Sequence, residues 1–157
     1  MANQAIAYGT RTAFGSASNL NSLTNGQAKP MGAVTTTGNV VGYLIDISIT
    51  PASSSTSATG YMQIYLIEAN DGGTNYTDRI NPAGTSDVTS TIKNARPIRQ
   101  VVVNANSGTI GVFQDNFMLP VMYPANNWSL IVSNQSGANL PSSTHSIYYT
   151  PVYYTIA

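Results

Sequence analysis

Residues Val40 to Ile49 read VVGYLIDISI. Tyr43, Ile45, Ile47 and Ile49 alternate with Leu44, Asp46 and Ser48. A period of two places one set on each face of an extended chain, so the stretch predicts a half-buried β-strand. Working outward, GYMQIYLIEA (60–69) is apolar on both faces: Tyr61, Tyr65 and Ile67 on one, Met62, Ile64 and Leu66 on the other. Such a strand sits centrally in a sheet, or has one face on the core and one on another subunit. WSLIVSN (128–134) alternates again, with Trp128, Leu130 and Val132 predicted inward against Ser129 and Ser133.

IRQVVVN and TIGVFQ flank ANSG, a good turn sequence, and predict a hairpin. An edge strand is expected around Val88 to Ile92, and PASSSTSAT (51–59) reads as a loop. Helical periodicity is confined to a turn or two in SASNLNSLTNG, where Leu20 and Leu23 are three apart. Roughly seven to nine short strands at this spacing predict an all-β chain, an antiparallel β-sandwich or jelly roll.

Residues 1–36 have scattered apolar residues among Gly, Ser, Thr and Asn, too few for a core of their own. They are expected to form an irregular N-terminal arm that orders against a partner, with residues 37–157 as the β-sandwich domain. The strand IYYTPVYYTIA (147–157) holds four of the ten tyrosines. Alternation sends Tyr149 and Tyr153 to one face and Tyr148 and Tyr154 to the other, which argues against a single stacking stripe. Pro151 cannot donate to a ladder and marks an edge position or a bulge. The expected interface residues are therefore Arg11, Phe14, Leu20, Leu23 and Lys29 from the arm, with Tyr148, Tyr149, Tyr153 and Tyr154 from the last strand.

Only 8% of the 157 residues are charged and the formal net charge is zero, where soluble domains carry about a quarter. The surface must instead use the 17 Ser, 18 Thr and 16 Asn. This balance offers no electrostatic case for nucleic acid or an anionic membrane, and the loose Lys93–Arg99 cluster supports at most a local contact. No apolar run approaches the ~20 residues of a membrane-spanning helix, and MANQAIAYGT has neither the basic nor the apolar region of a signal peptide. With no cysteine there is no disulfide framework and no thiolate chemistry.

Catalytic constellations are sparse. His145 lies among Ser142, Ser143 and Ser146, but no G-x-S-x-G elbow or neighbouring acid accompanies it. Asp46 and Glu68 fall on strands expected to pair, where two carboxylates could serve glycoside hydrolysis. NDGGTNYTD supplies Asp71, Asn75 and Asp78, with Asn70 beside them, as hard oxygen ligands for Ca²⁺. It lacks EF-hand order, and Asp-Gly between strands is a turn signal. Three glycosylation sequons, at Asn75, Asn127 and Asn134, are expected by chance in this composition. No enzyme and no cofactor are expected.

LNSLTNGQAKPMGAV, ATGYMQIYLIEANDGGTNYTD and YPANNWSLIVSNQSGANL, in that order between Asn19 and Leu140, resemble head decoration (cement) proteins of tailed bacteriophages. The resemblance implies a non-enzymatic virion protein on the outer capsid surface, made in the host cytoplasm without a signal peptide. Its implied partners are the major capsid protein and further copies of itself, a trimer before a dimer. The alternative, from another class, is a carbohydrate- or receptor-binding β-sandwich module of a phage fibre. A third, a small glycosidase, requires two carboxylates at catalytic spacing.

Overall fold

A computed structural model of the chain describes residues 4–50, 60–69, 71–102, 113–120, 127–142 and 145–156. The loop expected at 51–59, the ANSG turn, Asn70 and Ser143 lie outside these residues. Nine strands are described: β1 (Gln4–Tyr8), β2 (Thr12–Ala13), β3 (Ala28–Thr35), β4 (Val40–Ile49), β5 (Tyr61–Ala69), β6 (Arg96–Val102), β7 (Phe113–Pro120), β8 (Asn127–Gln135) and β9 (Ser146–Ile156). Among the described residues two short 3-10 turns, Ala17–Leu20 and Thr77–Arg79, accompany them.

The strands form two antiparallel sheets. One runs β1–β9–β4–β7, with β2 also on β9; the other runs β3–β8–β5–β6. β1 and β2 pair with successive parts of β9 and act as one interrupted strand. Eight strands then remain, and every connection from β2 onward crosses between the sheets except β5 to β6. This is the jelly-roll form of a β-sandwich. The β4 alternation holds: Tyr43, Ile45, Ile47 and Ile49 are buried, and they meet Met62, Ile64 and Leu66 of β5 in the main core.

Three expectations are corrected by strand pairing. IRQVVVN and TIGVFQ do not form a hairpin, because β6 pairs with β5 in one sheet and β7 pairs with β4 in the other. A bidentate ion pair joins these two edge strands instead, Arg99 Nε and Nη2 to the Asp115 carboxylate at 2.5 and 2.8 Å. Both residues lie in register with inward-facing partners, Ile64 and Ile47, so the pair closes that side of the sandwich. Pro151 is not on an edge, since β9 runs between β4 and β1/β2. Its carbonyl accepts from Gly9 N–H at 2.8 Å. In an antiparallel strand the nitrogen of the same residue points the same way, toward Gly9, so the return bond of this pair is the one proline cannot make, and β1 ends there.

The third correction concerns residues 1–36, which do not stand apart as an arm. Three strands of the two sheets come from this segment. Phe14, Leu20 and Leu23 are buried in the core of their own chain, which removes them from any partner contact. Phe14 packs edge-on against Trp128 (5.6 Å) and Tyr149 (5.1 Å), and Tyr43 lies 4.7 Å from Trp128. Pairs of this kind contribute about 0.5–1.5 kcal/mol each beyond area burial. The Trp128 indole N–H is buried among these rings without a hydrogen-bond partner among the described residues. Ser16 N–H donates to Met31 O at 2.8 Å, so close that a Cβ on Gly32 would stand 2.9 Å from Ser16 N. Gly32 also has φ +106°, a conformation only glycine adopts without strain. Scattered apolar residues sufficed because each fills a gap at the sandwich end, and none has to build a core by itself.

β8 is buried along both faces, Ser129 and Ser133 included. The outward face of β8 and β5 carries Ile131, Ile67 and Ala69, and it is covered by Tyr76, Ile80 and Ala95 from the β5–β6 connection. The two-sided β5 is thus central, covered by its own chain. The edge strand expected at Val88–Ile92 is a turn, with Thr91 and Ile92 N–H both donating to Val88 O and Val88 N–H anchored on Ala28 O.

Leu20→Ala and Leu23→Ala are each expected to cost about 2–5 kcal/mol of stability, the range for emptied core sites. Urea denaturation measures this. Unchanged midpoints would mean that the N-terminal segment lies outside the cooperative body.

Candidate interaction face

The β1–β9–β4–β7 sheet has one face on the core and one facing outward. Register fixes the outward set: Ile6 and Tyr8 on β1, Tyr148, Val152 and Tyr154 on β9, Leu44, Asp46 and Ser48 on β4, and Asn116 and Met118 on β7. The face divides into two parts. Toward the Val40–Gly42 end of β4 it is apolar and open: Ile6, Tyr8, Met118 and Tyr154 are 60%, 68%, 47% and 57% exposed, four of the five exposed large hydrophobics among the described residues. Met118 lies across Gly42, where an added Cβ would meet its methyl carbon at 2.5 Å. Here a glycine provides room for a side chain that would otherwise stand off the sheet.

Toward Ser48 and Ser146 the face is polar. Arg11, from the break between β1 and β2, stacks its guanidinium 3.6 Å above the Tyr148 ring and donates from Nε to Asp46 Oδ2 at 2.7 Å. Asn116, its amide nitrogen turned to the carboxylate, donates to Asp46 Oδ1 at 2.5 Å and to Asp115 O at 3.0 Å. A pocket of about 210 Å³ opens between Arg11, Asp46, Ile47, Ser48, Asn116 and Ser146.

Of the nine expected interface residues, this face brings together Arg11, Tyr148 and Tyr154. Tyr149 turns inward, half-buried against Phe14, Tyr43 and Trp128, and burial raises its phenol pKa. Tyr153 is half-buried, with its ring edge beside Gly9. Lys29 sits half-buried on β3, in register with Val132 and near Asp87. Phe14, Leu20 and Leu23 are core. Sequence reasoning missed Ile6, Tyr8 and Met118. The I-x-Y spacing of Ile6 and Tyr8 was a strand signal in a segment otherwise read as irregular.

The catalytic and metal candidates do not assemble. Asp46 and Glu68 lie on different sheets, because the chain crosses over between β4 and β5, so the expected strand pairing is absent. His145 Nδ1 accepts from Thr50 N–H at 3.2 Å and Nε2 faces Pro141 O at 3.0 Å, which makes Nε2 the protonated nitrogen. Burial lowers its pKa. Among the described residues no group of three metal-binding side chains occurs. The Asp71 carboxylate accepts from Thr74 N–H, Asn75 N–H and the Asn75 amide, closing its own loop. Asp78 accepts from the Lys93, Asn94 and Ala95 N–H groups and from the Asn94 amide. N–H groups aimed at both carboxylates oppose a cation there. In the Asp78 carboxyl, desolvation pushes the pKa upward, but these hydrogen bonds outweigh it and hold the value at about 2.

No protein-family model matches the chain, and no curated protein matches it. Among solved structures, the fold is similar to VP2 of infectious bursal disease virus in its subviral particle, with 8% identity and a TM-score of 0.36. The match covers 98% of this chain and 33% of that one, so the chain spans about a third of the VP2 length. A likeness at this level carries no functional argument.

Asp78 generates a pH prediction. Its folded-state pKa is depressed from 3.8, so its stabilisation is fully present above that value and is lost as pH falls toward about 2. Asp78→Asn is expected to lower the urea midpoint at neutral pH, with the gap to wild type narrowing as the solution is acidified through this window. A gap that stays constant down to pH of about 2 would show that the carboxylate charge contributes nothing.

Proposed function

We propose that the chain is a structural virion protein that decorates and stabilises a phage capsid by binding its outer surface and neighbouring subunits. The observation that carries this reading is the open apolar strip of Ile6, Tyr8, Met118 and Tyr154 on a regular sheet face. Exposed apolar groups gathered on one sheet face, here from β1, β9 and β7, mark interaction surfaces, because leaving them in water forgoes the gain of burial. The strip stands on hydrogen-bonded strands, so little ordering cost accompanies docking. The low charge of the chain is consistent with life within an assembly, where neighbours cover what charge would otherwise keep apart. The major capsid protein is the proposed partner, with further copies of this chain, a trimer, around it.

A second reading, a carbohydrate- or receptor-binding module of a fibre, has one observation in its favour. Tyr8 and Tyr154 expose their rings on the same face, where a sugar ring could stack.

Deleting residues 1–36 cannot test either reading, because it strips β1, β2 and β3 from the sheets. The discriminating variant is Tyr8→Ser with Tyr154→Ser, at exposed sites where folding is expected to be unaffected. Purified capsids are mixed with each protein and pelleted. Wild type is expected to co-sediment, and the double variant to bind about tenfold less or weaker while melting at the wild-type temperature. Wild type that stays in the supernatant sinks decoration. Binding on a glycan array that the double variant loses would then favour the fibre module.

A further inference from the structure

The polar pocket at the Ser48–Ser146 end of the outward face is not used by the apolar strip. Along β4, Asp46 lies four residues from Gly42, roughly 13 Å at strand rise, so a partner seated on the strip leaves the pocket at its rim. We propose that this pocket is a binding subsite for one neutral sugar residue. The proposal goes beyond capsid decoration and does not depend on it.

Three features point to this ligand chemistry. First, the walls are polar but balanced in charge. Arg11 and Asp46 face the same space and neutralise one another at 2.7 Å, which disfavours a bare anion or cation. Second, the walls mix unspent donors with acceptors. The Arg11 Nη groups and the Ser48 and Ser146 hydroxyls carry no hydrogen bond to any described residue. Asp46 accepts one bond on each oxygen and retains lone pairs on both. Hydroxyl groups donate and accept at once, and a vicinal pair can span a guanidinium edge or a carboxylate. Third, the groups are held in place before any ligand arrives. Tyr148 supports the guanidinium from below, Asp46 fixes its Nε, and Asn116 fixes Asp46 from β7. Preorganisation of this kind removes ordering cost from binding.

The size sets the limit. At about 210 Å³ the pocket is smaller than the ~300–1,000 Å³ of drug-sized sites. It admits one ring and leaves the rest of a chain on the surface. A single small ligand in an open pocket is expected to bind with a Kd on the order of millimolar.

The test is amide and side-chain NMR titration of the intact protein with the methyl glycosides of glucose, galactose, mannose and N-acetylglucosamine. Sodium acetate and N-methylacetamide serve as probes for a carboxylate and a peptide amide. Saturable shifts centred on Ser48, Asn116 and Ser146 with at least one glycoside, and weaker ones with the other two probes, are expected. Ser48→Leu, which fills the pocket from an outward position, is expected to abolish them while leaving capsid sedimentation unchanged. Asp46→Asn, which keeps the shape and removes the charge, is expected to weaken binding about tenfold. Shifts from acetate or the amide alone, shifts centred on Tyr8 and Tyr154, or no saturable shift with any glycoside would each overturn the subsite.

Discussion

The burial of β8 on both faces is the constraint on which the other elements depend. One face closes on β4 and β9 through Trp128, Leu130 and Val132; the other closes under the 71–95 connection through Ile131. A central strand without a wet side must pair most of its polar groups inside the protein, and on β8 the Trp128 indole N–H is the exception. Ser129 Oγ accordingly donates to Gly32 O, and the Asn134 amide donates to the Leu23 and Ala138 carbonyls. These bonds tie the N-terminal segment and the β8–β9 connection to the same strand. The polar residues of β8 are therefore joints, although their alternation with Trp128, Leu130 and Val132 read as a solvent face.

The two sheets are consequently unequal. The β3–β8–β5–β6 sheet has its outer face covered by the chain itself over β8 and the Ile67–Ala69 end of β5, with Asp78 and Asp87 pinning the covering loops through backbone N–H groups. The β1–β9–β4–β7 sheet has no such cover among the described residues and presents its outer face to the surroundings. Function, on either reading, is therefore concentrated on one face. The break between β1 and β2 accommodates Pro151 and also releases Arg11 to reach Asp46. The same irregularity that lies opposite Pro151 supplies Arg11 to the polar pocket.

The site was partly legible in sequence. Arg11 was expected at an interface only as a residue of the arm, whereas period-two alternation correctly divided Tyr148 and Tyr154 from Tyr149 and Tyr153. It could not separate Phe14, Leu20 and Leu23 from a partner-binding set, because an apolar residue destined for its own core looks the same as one destined for a neighbour. Nor could it bring Arg11, Asp46 and Asn116 together, since these come from a break in one strand and from two others, separated by up to 105 positions in the chain. Ile6, Tyr8 and Met118 were missed because exposure is decided by what does not pack above them.

By itself, the sequence determined that the chain is all-β, where the main strands lie and which side chains share a face. Those properties follow from local backbone geometry, in which successive residues point opposite ways. Tertiary structure alone decided which strands pair, sending IRQVVVN and TIGVFQ to different sheets and the first 36 residues into both. It also decided that β5 is covered by its own chain while the tyrosine-rich face is left open. Pairing and covering are long-range choices, settled by which complete set of faces can be buried at once, and no stretch of ten residues contains that information.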